Sequence, residues 1–158
     1  MNTNYAGFWL RFVAYLIDGL IIGTIQFVAI MPFLAILGIG AADNIQEMES
    51  MDEAEAMSMV GGMMAMGFTF QIVFFVIATL YFAILESSSK QATVGKMVLG
   101  LQVTDVNGNK LDFVKALVRN LCKFISSAIM MIGYIMAGFT EKKQALHDII
   151  ASTLVVKK

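Results

Sequence analysis

Residues 19–42 read GLIIGTIQFVAIMPFLAILGIGAA, without one charged side chain. At 1.5 Å per residue a helix needs roughly 20 residues to cross a hydrocarbon core about 30 Å thick, and this run exceeds that. A second run, residues 56–85, is also free of charge and longer still. Across the 158 residues apolar types make up 58% and charged types only 15%, against roughly 25% charged in a soluble domain. The expected fold is therefore an all-α membrane protein. It has two transmembrane helices, an interfacial amphipathic helix, a re-entrant or short third membrane segment and a small cytoplasmic β-hairpin.

A cleaved signal peptide is the competing reading of the first run. Secretory apolar regions are only about 7–15 residues long, whereas this run is far longer and the apolar stretch it extends, about 6–40, has Asp18 inside it, so a retained helix is expected. A single domain over residues 1–158 divides into a membrane helix at about 6–40, an acidic loop at about 41–56 and a second membrane helix at about 57–85. A linker and hairpin at about 86–112, an interfacial helix and membrane segment at about 113–140, and a tail at about 141–158 complete it.

Net charge is only −1, but its distribution is informative. The loop carries Asp43, Glu47, Glu49, Asp52, Glu53 and Glu55 and no Lys or Arg. Basic residues stay on the cytoplasmic side of short loops, which places this loop outside and the N-terminus in the cytoplasm. Further along, Asn107-Gly108 is a two-residue hairpin signal between Val106 and Leu111, and the β-branched run Thr153 to Val156 offers a third strand. Lys115, Arg119 and Lys123 recur every four residues opposite Phe113, Val114, Leu117 and Leu121, as in an amphipathic helix whose cations meet anionic headgroups. Phe124 to Phe139 is uncharged but short for a crossing and has lysines at both ends. A re-entrant hairpin breaking near Gly133 is favoured over a third span, leaving the C-terminus cytoplasmic.

Inside the first helix, Arg11 and Asp18 lie seven residues apart, two turns along one face. A carboxylate near a helix centre costs about 2.5–3.5 kcal/mol to insert, so Asp18 needs a partner, a water-filled cavity or a cation, and is a functional candidate. Tyr15 flanks the same stripe. Gln26 and Gln71 either extend a polar pathway or hydrogen-bond between helices. The alternative is structural: Arg11 snorkels to phosphates and Asp18 only fixes packing.

The segment Gly7-Phe8-Trp9-Leu10-Arg11-Phe12-Val13-Ala14-Tyr15-Leu16-Ile17-Asp18, the turn Thr93-Val94-Gly95-Lys96 leading into Gly100-Leu101-Gln102-Val103, and Gln144-Ala145-Leu146-His147-Asp148 followed by Ala151 and Thr153 together resemble the RDD family of bacterial membrane proteins. The resemblance covers nearly the whole chain. The arginine and two aspartates for which that family is named map onto Arg11, Asp18 and Asp148, while Phe124 to Phe139 lacks the proline often found at its break. The resemblance implies transport of undefined ligands, with sodium/proton antiport in some members. A re-entrant hairpin would return Asp148 to the interface where Arg11 lies, making an Arg11–Asp148 pair a plausible gate. His147 is either a proton shuttle or an interfacial hydrogen-bonder.

Other chemistry finds little support. Thr93-Val94-Gly95-Lys96 lacks the remaining residues of a phosphate-binding loop, and one His with one Cys, Cys122, builds neither a hydrolase triad nor a zinc site. No enzyme activity, cofactor, metal site or nucleic-acid partner is expected. Met48, Met51, Met57, Met59, Met63, Met64 and Met66 crowd one end of the second helix. They are read as flexible packing, with a methionine-based copper binder as a distant alternative. The leading expectation is a homo-oligomeric transporter exchanging a monovalent cation for protons. In it Asp18 binds alternately, Arg11 tunes it, and Asp148 pairs with Arg11 in one state. The rival is a non-transporting assembly or regulatory protein.

Overall fold

A computed structural model describes residues 4–36, 51–128 and 132–158. Two long helices dominate: α1, Phe8–Ile36, and α2, Glu53–Glu86. Both are long and apolar enough to cross a membrane, over Phe8–Pro32 and Glu53–Glu86. The helix α2 starts inside the segment expected to be loop. Asp52 Oδ1 accepts from the Glu55 amide at 2.8 Å and the Glu55 carboxylate accepts from the Asp52 amide at 3.3 Å, a reciprocal cap that satisfies two otherwise orphaned donors. Asp43, Glu47, Glu49 and Met48 lie outside the described residues.

The chain divides into two units. One comprises residues 21–77, the greater part of both long helices. Its surface is apolar, with Ile, Val, Met and Phe side chains such as Ile25, Phe27, Val28, Met64, Phe68 and Ile72 exposed, as suits helices solvated by lipid. Met57, Met59, Met63 and Met64 are among these exposed side chains.

The other unit comprises residues 1–20 and 78–158. It holds the beginning of α1, the end of α2, a five-residue helix α3 (Val94–Val98), strand β1 (Leu101–Asp105), helix α4 (Phe113–Ala128), a short helix α5 (Ile132–Ile135) running into a 3-10 turn (Met136–Gly138), helix α6 (Leu146–Ile150) and strand β2 (Thr153–Lys157). Strands β1 and β2 pair antiparallel, with Val103 opposite Val155. The N-terminal segment adds an isolated bridge from Tyr5 to Val156. Ala6, Ala14, Ala83, Leu101, Val103, Leu111, Ala116 and Val155 form the buried core.

The expected hairpin is corrected. The turn exists: Asp105 accepts from the Asn107 and Asn109 amides, both at 2.8 Å, and Gly108 supplies the positive φ of 85°. Its return arm amounts to one bridge, Thr104 to Lys110, because Leu111 turns into the core and the Asp112 carboxylate takes the Val114 amide at the start of α4. The C-terminal run, expected as a third strand, is the true partner of β1.

After α4 the chain doubles back. Gly133 sits so close to Ser126 that an added Cβ would lie 2.8 Å from the serine Cβ, and the Tyr134 hydroxyl donates to the Lys123 carbonyl at 3.2 Å. Residues 129–131 lie outside the described residues, and beyond them Phe124 to Phe139 continues as the short helix α5 and a 3-10 turn up to Gly138.

Candidate functional site

The carboxylate of Asp18 is 1% exposed and takes three hydrogen bonds. Its Oδ1 accepts from the Gly95 amide at 2.8 Å and the Tyr81 hydroxyl at 3.0 Å, and its Oδ2 accepts from the Thr93 hydroxyl at 2.5 Å. Two of these donors come from the turn that opens α3, where Thr93 is the N-cap. Gly95 is required there by proximity, since a Cβ at that position would stand 2.1 Å from the Ala14 carbonyl oxygen.

Around Asp148 and Glu86, both fully buried, four cations converge. Arg11 pairs with Asp148, donates from Nε to the Ala6 carbonyl at 2.9 Å and from Nη2 to the Lys143 carbonyl at 2.6 Å. Arg119 joins the two carboxylates, lying 2.7 Å from Asp148 Oδ1 through Nη2 and 2.7 Å from Glu86 Oε2 through Nη1. Lys96 pairs with Glu86, Asn120 donates to the same carboxylate at 3.0 Å, and Lys123 lies 3.6 Å from it. The Asp148 carboxylate also accepts the Ala145 amide at 3.1 Å, closing the first turn of α6.

Electrostatics follow from this crowding. Burial alone would raise the Asp148 carboxyl, but Arg119 and then Arg11 outweigh it and hold the group below the usual carboxylate range. Burial pulls the ammonium groups the other way: Lys96 is lowered, and Lys123 falls to about 7, with Glu86 opposing the shift only in part. Arg119 is also penalised by burial, yet Glu86 and Asp148 raise it above its ordinary value. Burial lowers His147 to about 2, so its ring is neutral. Its Nδ1 shares a 3.2 Å hydrogen bond with the Ser126 hydroxyl, while Nε2 lies 3.6 Å from Asp148.

Beside these groups is a cavity of about 260 Å³, lined by Arg11, Asp18, Lys96, Arg119, Lys123 and His147 and by aromatic side chains including Phe8, Phe12 and Phe82. Tyr15 also lines it and is 54% exposed. Gln26 and Gln71 belong to the other unit.

Three readings change. Arg11 and Asp18 share a helix face, but the guanidinium of Arg11 is engaged with Asp148 and two carbonyls, while Asp18 is held by hydroxyl and amide donors. The cations of α4 do not all face outward. Arg119 is 2% exposed and Lys123 half-buried, whereas Val114, Val118, Leu121, Phe124 and Ile125 form the exposed side, so the apolar face of the helix looks out. Glu86, Lys96, Tyr81 and Asn120 join the site unanticipated. A carboxylate closing an apolar run was the available signal for Glu86, since such a group needs a cation.

Two membrane-length helices with ion pairs gathered among buried side chains define a membrane protein with an internal charge cluster. The chain belongs to the RDD family, whose profile matches residues 5–152. It is similar to the uncharacterized protein YxaI of Bacillus subtilis (strain 168), at 35% identity over 97% of both chains. It is also similar to the uncharacterized membrane protein YteJ of the same strain, at 29% identity over 99% of this chain and 83% of that one. No solved structure matches.

Proposed function

We propose that this RDD protein is a small bacterial inner-membrane transporter, acting as a homo-oligomer with both termini in the cytoplasm and exchanging a monovalent cation for protons. One observation carries the reading. Of the three buried carboxylates Asp18, Glu86 and Asp148, Asp18 is the one with no cationic partner among the described residues, and it lines the cavity. A carboxylate neutralised by neither Arg nor Lys is suited to take up a proton or a cation. Glu86 and Asp148, each shared by two or more cations, are not. The Arg11–Asp148 pair then acts as the gate, opening when the two separate.

Purified protein in sealed vesicles with a pH-sensitive dye tests this. Cation-driven proton movement that Asp18→Asn abolishes, with assembly intact, is the expected result. No flux across a panel of monovalent cations sinks the exchange.

The second reading is a non-transporting assembly or regulatory protein. The three hydrogen bonds on Asp18 favour it, because they suit a carboxylate that pins the α3 turn to α1. Loss of oligomerisation in Asp18→Asn, with no flux in the parent protein, is its signature.

A further inference from the structure

The ion-paired cluster is unbalanced: Arg11, Lys96, Arg119 and Lys123 share the two carboxylates Glu86 and Asp148, and His147 beside them is neutral. Counting Asp18, which no cation touches, still leaves a positive surplus among the described residues whenever Lys123 is protonated. A buried surplus charge is expensive unless another charge meets it.

Lys123 holds the weakest share. The Glu86 oxygen nearest to it, at 3.6 Å, is already occupied by Lys96, and its remaining partners are the neutral Asn120 amide and the face of Phe82, 4.3 Å from the ring centre. Lys123 also lines the cavity. The opposite character prevails at the cavity rim, where Phe12, Tyr15 and Ile135 are 37%, 54% and 46% exposed. Phe12 and Tyr15 belong to the candidate span of α1, a segment whose exposed side chains suit acyl chains as solvent. A cationic floor behind an aromatic and aliphatic mouth matches a molecule with one anionic end and a hydrocarbon body.

We propose that this cavity is a binding site for an anionic phospholipid, its phosphate set against Lys123 and its acyl chain lying over Phe12 and Ile135. The phosphate supplies the missing negative charge as a charge-assisted hydrogen bond in a low-dielectric site. The chain replaces solvent over the aromatic lining. The site does not depend on transport, since occupancy is an equilibrium property of the protein in detergent.

The test is native mass spectrometry of the intact protein in a neutral detergent, titrated with phosphatidylglycerol, phosphatidylcholine or inorganic phosphate. Phosphatidylglycerol is expected to bind about tenfold more tightly than phosphatidylcholine, Lys123→Gln to erase that preference and Lys123→Arg to keep it. Ile135→Trp, which leaves every charge in place and narrows the mouth, is expected to weaken retention of phosphatidylglycerol even if Lys123→Gln fails to fold. Equal binding of the two lipids overturns the proposal. So does an undiminished preference in Lys123→Gln, an unaltered affinity in Ile135→Trp, or competition by inorganic phosphate at the concentration of the lipid, which would mark a site for a free anion.

Discussion

Gly95 lies against Ala14 so closely that a Cβ on it would stand 2.1 Å from the Ala14 carbonyl oxygen and 3.0 Å from the Asp18 carboxyl carbon. That approach is what lets the Gly95 amide reach Asp18 at 2.8 Å. Because the obstacle is helical backbone, it cannot step aside as a side chain would. Gly95→Ala should therefore destabilise the protein by at least about 1–3 kcal/mol, read as a lowered unfolding midpoint in detergent.

Thr93 tests the same junction without adding bulk. Thr93→Val keeps the shape and removes the hydroxyl that donates to Asp18 and caps α3. A loss of about 2 kcal/mol is expected, since the lost bond is to a buried carboxylate. A neutral effect on thermal unfolding would show that the Thr93 hydroxyl contributes nothing to holding Asp18, leaving the Gly95 amide as the turn's hold on it.

Arg119 is the bridge between Glu86 and Asp148. Arg119→Met strips both carboxylates of a shared cation and should cost about 3–5 kcal/mol, more than the loss of a surface pair. Arg119→Lys should recover only part, because a single ammonium does not reproduce the fork that serves two carboxylates. Denaturant titration of the three proteins gives the ranking.

Acid should weaken the fold through His147. Its folded pKa, lowered by burial to about 2, lies below the ordinary 6.5, so between those values the unfolded chain binds the extra proton. The contribution of this residue is then full above about pH 6.5 and falls as pH drops, at about 1 kcal/mol per unit. Asp148, held below its usual range, adds to the loss once pH falls beneath the ordinary carboxylate value. His147→Gln should flatten the slope between pH 6.5 and 4 in thermal unfolding series, and an unchanged slope would place the titration elsewhere.

Both long helices were legible because charge-free length is a one-dimensional property. The Arg11–Asp148 pairing follows from the doubling back of the chain and the family pattern, and the two side chains meet, although Arg119 shares the same carboxylate. The face of α4 was not legible. Spacing shows that Arg119 and Lys123 share a side, but which side turns inward depends on whether the surroundings are water or lipid. The hairpin misled for a local reason: Asn107-Gly108 does turn, yet Asp112 begins a helix before a second strand can form. Glu86 was hidden because its partner Arg119 stands 33 residues away.

Arg11 and Asp148 are separated by 137 residues. At roughly 5–20 residues per second of synthesis, the first helix is made on the order of ten seconds before its counter-ion exists. During that interval the arginine must be tolerated by the insertion machinery or by lipid phosphates. The final locking of the helix thus waits for the emergence of α6, and premature termination anywhere upstream leaves a membrane segment carrying an unanswered charge.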